Sequence, residues 1–184
     1  MYARHGKRII DLSLSLLVLI VLSPLLLLLA TLIAVHFGGN PFFLQWRPGK
    51  DAILFRIYKF KTLKPLVEGA PLPDQVRITK LGGFLRKTGL DELPQLVNVI
   101  RGEMSLVGPR PLLPSYIPLY TAAQNERHQV RPGITGWAQI QGRNTIGWER
   151  KMSLDIWYVH HLSFQLDMSI LCQTFFQQCG GNSL

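Results

Sequence analysis

Residues 12–35 read LSLSLLVLIVLSPLLLLLATLIAV, without a single Asp, Glu, Lys, Arg or His. As one straight helix they reach roughly 36 Å, enough to cross a hydrocarbon core of about 30 Å. A cleaved signal peptide fits the basic start, but the apolar run is too long and no A-x-A-like site follows it. Ser23-Pro24 interrupts the run near its middle. Proline removes a helical hydrogen bond and disfavours helical geometry at the residue before it, while a serine hydroxyl can satisfy a freed backbone group. Arg4, Lys7 and Arg8 precede the run; Arg47, Lys50, Arg56, Lys59, Lys61 and Lys64 follow it. The positive-inside rule places both flanks in the cytoplasm. A helix that enters the bilayer, breaks at Ser23-Pro24 and returns satisfies both flanks. A kinked single crossing is the alternative, and sequence physics leaves the two open.

Outward from this segment, the 184 residues suffice for a membrane element, 1–38, and one compact domain, 39–184. The expected fold class is α/β, mostly helical with a short β-hairpin. Phe42 to Trp46 and Ile53 to Thr62 read as strands around a turn at Arg47-Pro48-Gly49-Lys50-Asp51. Lys64 to Asp74 holds three prolines and a glycine and reads as a loop. Ile78, Leu81, Phe84 and Leu85 recur at helical spacing beside Arg77, Lys80, Arg86 and Lys87. That pattern describes a basic helix lying either in a headgroup layer or on the domain's own core, with Gly82-Gly83 weakening it. Leu90 to Ile100 reads as a helix starting close to Asp91, because Pro94 is acceptable only near a helix start. Prolines 109, 111, 114 and 118 predict an irregular stretch, and Arg131 to Trp137 a turn-rich connection. Trp148 to His161 and Asp167 to Gln178 predict two further helices.

The formal net charge is +9, from 20 basic and 11 acidic residues. A basic balance attracts phosphate, in a nucleotide, an anionic lipid or a nucleic acid. Nucleic acid is disfavoured, because the basic residues are scattered and the aromatics form no stacking motif. Cys172 and Cys179 have no metal-ligand spacing and make no disulfide framework. No phosphate-binding P-loop or dinucleotide fingerprint occurs.

The pair singled out for chemistry is Asp91-Glu92. Acids in a first helical turn are ordinary helix-start chemistry, stabilised by the helix dipole. Their company argues for more. Lys59, Lys61, Arg86, Arg101, Arg110 and Arg143 must fold around a small domain with few acids. A carboxylate among cations, close to a membrane, suits a phosphate-bearing substrate and a divalent cation such as magnesium. Arg110 stands between Pro109 and Pro111, so its guanidinium leaves a stiff backbone suited to bidentate phosphate capture. His128, His160 and His161 have no Ser or Cys nucleophile motif beside them and read as structural.

Several stretches together resemble the bacterial sugar transferase family, the small monotopic phosphoglycosyl transferases. They are Lys7-Arg8-Ile9-Ile10-Asp11, Ser23-Pro24, Gln45-Trp46-Arg47-Pro48-Gly49, Ile57-Tyr58-Lys59-Phe60-Lys61-Thr62, Leu90-Asp91-Glu92-Leu93-Pro94-Gln95-Leu96, Gly102 to Pro111, Arg131 to Gly136 and Gly142-Arg143-Asn144. In family order they cover nearly the whole chain, which is similar in length to the members that transfer phospho-bacillosamine. The resemblance implies a re-entrant helix broken at Ser23-Pro24, with the domain on the cytoplasmic face of a bacterial inner membrane. It implies Asp91 as nucleophile and Glu92 as a magnesium ligand. It implies Lys59 and Arg110 as phosphate contacts, with Arg143 and Asp167 as further phosphate- or substrate-binding candidates. The implied substrates are a UDP-sugar and polyprenol (undecaprenyl) phosphate, with UMP released through a covalent aspartyl phospho-sugar. Two rival readings are direct transfer, in which Asp91 only binds metal, and a non-catalytic basic membrane adaptor.

Overall fold

A computed structural model describes residues 2–65, 73–142 and 146–179. One wide helical turn, Tyr2–Gly6, leads into α1, Lys7–Phe37. The helix runs through Ser23-Pro24 without interruption. Pro24 has no N–H to offer the Ile20 carbonyl, and Ser23 Oγ donates to that carbonyl instead, at 2.8 Å. The hydroxyl thus replaces the lost backbone bond, and the helix continues where two shorter ones were expected. Gly38, in the left-handed region at φ 67°, ends it by donating back to Ala34 and Val35.

One narrow stripe of α1 is buried against the rest of the chain: Lys7, Asp11 and Ser15 towards its start, Leu29 and Ile33 towards its end. Those spacings of four keep the residues on one face. Leu17, Ile20, Val21, Leu27 and Leu28 are exposed on the other faces. α1 is long and apolar enough to cross a membrane, with a mean hydropathy of 3.0 over its most apolar window.

Strands β1, Phe42–Pro48, and β2, Leu54–Phe60, form the expected antiparallel hairpin, Phe42 opposite Phe60 and Pro48 opposite Leu54. A bridge between Leu63 and Ile78 follows. It takes Ile78 out of the expected helix and into extended backbone. The expected loop from Lys64 to Asp74 falls partly outside the described residues, and a short helix, α2 (Asp74–Arg77), closes it. In α3, Lys80–Thr88, Thr79 caps the start by accepting from Gly82 N–H, and Leu85 is fully buried. A Cβ on Gly82 would lie 2.1 Å from the Thr62 carbonyl oxygen, so this glycine lets α3 press against the chain after β2.

Gly89 (φ 70°) turns the chain out of α3 into a single 3-10 turn, Leu90–Glu92, and α4 follows at Gln95–Arg101. The α-helix therefore begins after Pro94. Asp91 and Glu92 stand on the turn before it, because the glycine reverses the chain just upstream and Pro94 can only open a helix. Next come β3, Ser105–Val107, a 3-10 segment, Pro114–Leu119, and α5, Ala122–Asn125. Strand β4, Gly133–Thr135, pairs parallel with β3. This second sheet corrects the turn-rich reading of Arg131 to Trp137, while its other strand lies ahead of the proline-punctuated stretch. Two three-residue strands flanked by Pro and Gly carry no alternation to read. Gly133 and Gly136 allow the close approach: a Cβ on either would lie 2.1 or 2.2 Å from Gly108 backbone atoms. Helices α6 (Trp137–Ile140), α7 (Trp148–His161) and α8 (Phe164–Cys179) complete the chain. The fold is mostly helical with two small sheets.

Three buried clusters hold these elements. Leu29 and Ile33 of α1 meet Phe60 and Leu85; Phe55 and Ile57 of β2 meet Val99 and Met104; Val107 and Ile140 meet Tyr158 and Ile170.

Candidate active site

The site forms where β2, the Leu90–Glu92 turn and the segment after β3 converge. Asn98 of α4 sets the register. Its Nδ2 donates to the Arg56 carbonyl at 2.7 Å, and its Oδ1 accepts from Tyr58 N–H at 3.1 Å. These two bonds fasten α4 to the open edge of β2. Lys59, the next strand residue, then reaches the turn ahead of α4, where its Nζ lies 2.5 Å from Glu92 Oε1. Arg110 Nη2 reaches the same oxygen at 2.7 Å. Both cations therefore share one carboxylate oxygen. Burial raises the pKa of Glu92, but Arg110 and Lys59 outweigh it and bring the group to about 2.

Asp91 is 8 % exposed. Its carboxylate makes no hydrogen bond or ion pair with the described residues, although Lys59, Arg86 and Arg110 all act on it through space. Burial, reinforced by the Glu92 charge, raises its pKa to about 6 against those cations. Adjacent acids thus differ in kind: Glu92 is held as an ion-paired anion, and Asp91 is a partly desolvated carboxylate with free oxygens. Arg86 comes to the site from α3, held by a bond to Thr62 Oγ1 at 3.0 Å.

The structure brings together Lys59, Asp91, Glu92 and Arg110. Arg101 stays apart, its guanidinium over the Tyr58 ring and bonded to the Tyr58 hydroxyl. Asp167, expected as a substrate contact, is 1 % exposed, and its three hydrogen bonds come from Tyr2, Lys7 and Tyr158. Those contacts tie the start of α1 to α7 and α8 and place Asp167 in the scaffold. Arg143 lies outside the described residues. His128 is buried with its pKa lowered to about 4 by burial and by Arg127, and His160 and His161 bond to Glu126 and the Trp157 carbonyl. None of the three touches the Asp91-Glu92 pair.

Two features escaped the sequence reading. Asn98 was one polar residue in an apolar helix, the sole signal it gave. Arg127 and Asp155, 28 positions apart, form a buried ion pair at 2.7 Å, and no local pattern joins them.

The donor set fits a hard divalent cation. Glu92 Oε2 and both Asp91 oxygens are uncommitted among the described residues, and magnesium typically takes one or two carboxylates with the remainder from water and substrate phosphate. No group of three or more His, Cys, Asp or Glu gathers among the described residues, so the protein alone offers no complete cage.

The chain matches the model of the bacterial sugar transferase family over residues 2–181 and belongs to that family. It is 51% identical over 170 residues to the uncharacterized sugar transferase EpsL of Bacillus subtilis, covering 91% of this chain and 84% of that protein. It is 38% identical to the exopolysaccharide production protein ExoY of Sinorhizobium fredii, covering 95% of this chain and 85% of that one. With the UDP-glucose:undecaprenyl-phosphate glucose-1-phosphate transferase of Escherichia coli it shares 37% identity over 93% of this chain, which corresponds to 39% of that longer protein.

Proposed function

We propose that this transferase moves a sugar 1-phosphate from a UDP-sugar to undecaprenyl phosphate, releasing UMP, with Asp91 as the covalent nucleophile. The observation that carries the reading is the contrast between the two acids. Glu92 is locked to Lys59 and Arg110 through one oxygen, whereas Asp91 keeps both oxygens free beside the same cations. A pKa near 6 leaves Asp91 mostly ionised at neutral pH and more basic than an ordinary carboxylate, which favours nucleophilic attack. The relatives named for transfer to undecaprenyl phosphate support the substrate class.

An Asp91 oxygen attacks the β-phosphorus of the UDP-sugar. The bond from that phosphorus to the bridging oxygen breaks, and UMP leaves. Arg110 and Lys59 spread the charge that develops on the phosphoryl oxygens. A phosphate oxygen of undecaprenyl phosphate then attacks the same phosphorus, the acyl-phosphate bond breaks, and Asp91 is regenerated as a carboxylate. Glu92 would hold a magnesium ion, which would supply Lewis-acid charge neutralisation when bound.

The reading places α1 re-entrant and the domain on the cytoplasmic face; the basic residues on both flanks support the side, and the contacts of both helix ends with one domain support the re-entry. Lys7, Arg8 and Asp11 bond to residues 99–106 and 167 at one end of the helix, while Leu29 and Ile33 pack on Phe60 and Leu85 near the other. A helix crossing the bilayer would separate those contacts by the membrane thickness. The exposed leucines of its remaining faces are then lipid-facing, which brings undecaprenyl phosphate and the site to the same interface.

The test is purified full-length enzyme with a panel of UDP-sugars, followed by UMP release and intact-protein mass spectrometry. A turnover-competent sugar should add one sugar phosphate to the protein before acceptor is supplied, mapped to Asp91. UMP release only in the presence of acceptor, with no adduct, would establish direct transfer instead.

A further inference from the structure

Arg110 owes its position to three consecutive carbonyls. The Pro109 carbonyl accepts from Gly133 N–H at 3.0 Å, the Arg110 carbonyl from Arg127 Nη2 at 2.7 Å, and the Pro111 carbonyl a long bond from Arg47 Nη1 at 3.4 Å. Prolines on both sides have already fixed their own φ. Of the three donors, Arg127 alone acts on the residue whose side chain enters the site. It is 2 % exposed, and the same Nη2 pairs with Asp155 Oδ2 of α7 at 2.7 Å, while Nη1 donates to the Tyr120 hydroxyl at 3.2 Å.

A fully buried ion pair is a poor way to gain stability, since desolvating both charges offsets most of their attraction. It is an effective way to hold a planar donor in one orientation. We propose that Arg127 is a positioning residue for Arg110: anchored by Asp155, it clamps the Arg110 carbonyl so that the Arg110 guanidinium meets Glu92 and the donor phosphate. Arg127 is buried and makes no bond to Glu92. A lysine in its place keeps the charge beside Asp155 but lacks the fork that serves the carbonyl and Tyr120 together.

The inference rests on the proposed reaction, and a double-mutant cycle separates the two. Full-length wild type, Arg127→Lys, Arg110→Lys and the double variant are compared for kcat and KM with the best UDP-sugar, each checked for native circular dichroism at the assay temperature. A clamp predicts that Arg127→Lys lowers kcat/KM about tenfold and that the double variant is within about threefold of Arg110→Lys alone, since a guanidinium already absent cannot be misplaced. A role in the scaffold only would lower the two backgrounds by equal factors. Equal factors, or an Arg127→Lys enzyme with wild-type kcat/KM, would overturn the clamp. If Arg127→Lys does not fold, the near-isosteric Asp155→Asn replaces it in the cycle and decides by the same criterion. A wild-type protein that releases no UMP from any UDP-sugar overturns the reaction instead, and the cycle is then read on affinity for inorganic pyrophosphate by calorimetry.

Discussion

Lys59 Nζ stands 2.5 Å from Glu92 Oε1, although 33 positions separate the two residues, and it makes no hydrogen bond to Asp91. The asymmetry follows from register. Asn98 fixes β2 against α4 on one side of Lys59, and Gly89 sets the start of the turn on the other, so Lys59 meets the second acid of the pair. Two neighbouring carboxylates are thereby given different protonation behaviour, and that difference can be measured.

Asp91→Asn should abolish transfer and yet raise stability near neutral pH. The folded-state pKa of about 6 exceeds the ordinary value of 3.8, so the fold favours the protonated acid. Stability from this group is complete below about pH 4, declines as pH rises towards 6, and is lost above it. The neutral amide escapes that penalty, on the order of 1–3 kcal/mol. Calorimetry in EDTA should show a higher Tm for the variant at pH 7.5 and convergence with wild type near pH 4. An equal or lower Tm at pH 7.5 would refute the burial penalty.

Glu92→Gln should behave oppositely. The folded-state pKa, about 2, lies below the ordinary 4.5, so the stabilisation is present above pH 4.5 and fades as pH falls towards 2. Removing the charge leaves Lys59 and Arg110 facing one another. A loss of about 2–3 kcal/mol is expected at pH 7, narrowing in acid, together with severely impaired turnover. Urea denaturation at pH 7 and pH 3 reads the stability; a gap that fails to narrow would place the loss outside the ion pairs.

Arg110→Lys should reduce turnover roughly tenfold to a hundredfold, equivalent to about 1–3 kcal/mol of lost charge-assisted hydrogen bonding. Lysine supplies a point charge without the planar fork. Unchanged kinetics would put Arg110 outside the phosphate site.

Adjacent glycines should respond with opposite signs. Gly82→Ala drives a methyl to 2.1 Å from the Thr62 carbonyl oxygen and must displace α3, which also carries Arg86. A loss of about 2 kcal/mol or more is expected. Gly83→Ala meets nothing closer than Ile78 Cδ1 at 3.9 Å and should be neutral or stabilise by up to about 1 kcal/mol through helix propensity. Thermal melts of the two variants compare them directly.

The sequence disclosed the elements that have length or period. α1, the hairpin, α7 and α8 rest on apolar runs or turn chemistry, and Ser23 was legible as a hydroxyl able to satisfy a freed backbone group, though not which one. Asp91, Glu92, Lys59 and Arg110 were legible because acids are few among many cations and family motifs flag them. The β3–β4 pair was not, since three residues carry no alternation and the pairing depends on glycines whose partner lies elsewhere in the chain. Asp167 was a candidate that the resemblance implied, but sequence does not reveal that Lys7 and two tyrosines, Tyr2 and Tyr158, occupy its carboxylate. The same limit hid Arg127, whose significance lies in a carbonyl 17 positions away.

The placement of α1 yields the last prediction. Lys7 to Ile33 would span roughly 39 Å as one straight helix, more than a hydrocarbon core of about 30 Å. Lys7 is nevertheless bonded to Asp167, and Ile33 is packed on the same domain. A crossing helix would have to drag a buried Lys7–Asp167 pair through lipid or break it, whereas a re-entrant helix keeps both ends on one side. Cysteine labelling distinguishes them in a cysteine-free background, since Cys172 is exposed. Ala3 and Lys50 are the reporter positions, both exposed, because Tyr2 is engaged with Asp167. In intact cells neither Ala3→Cys nor Lys50→Cys should react with an impermeant reagent, and both should react after permeabilisation. Replacing Ser23 and Pro24 together with leucine removes the only proline of α1 and restores the backbone bond to Ile20. With that proline gone the segment should cross the bilayer and expose Ala3→Cys outside the cell, and activity should fall although Asp91 is intact, because Arg8 would leave the carbonyls of Val99 and Ile100 that it holds at the end of α4. External labelling of Ala3→Cys in the otherwise unaltered enzyme would establish a kinked crossing.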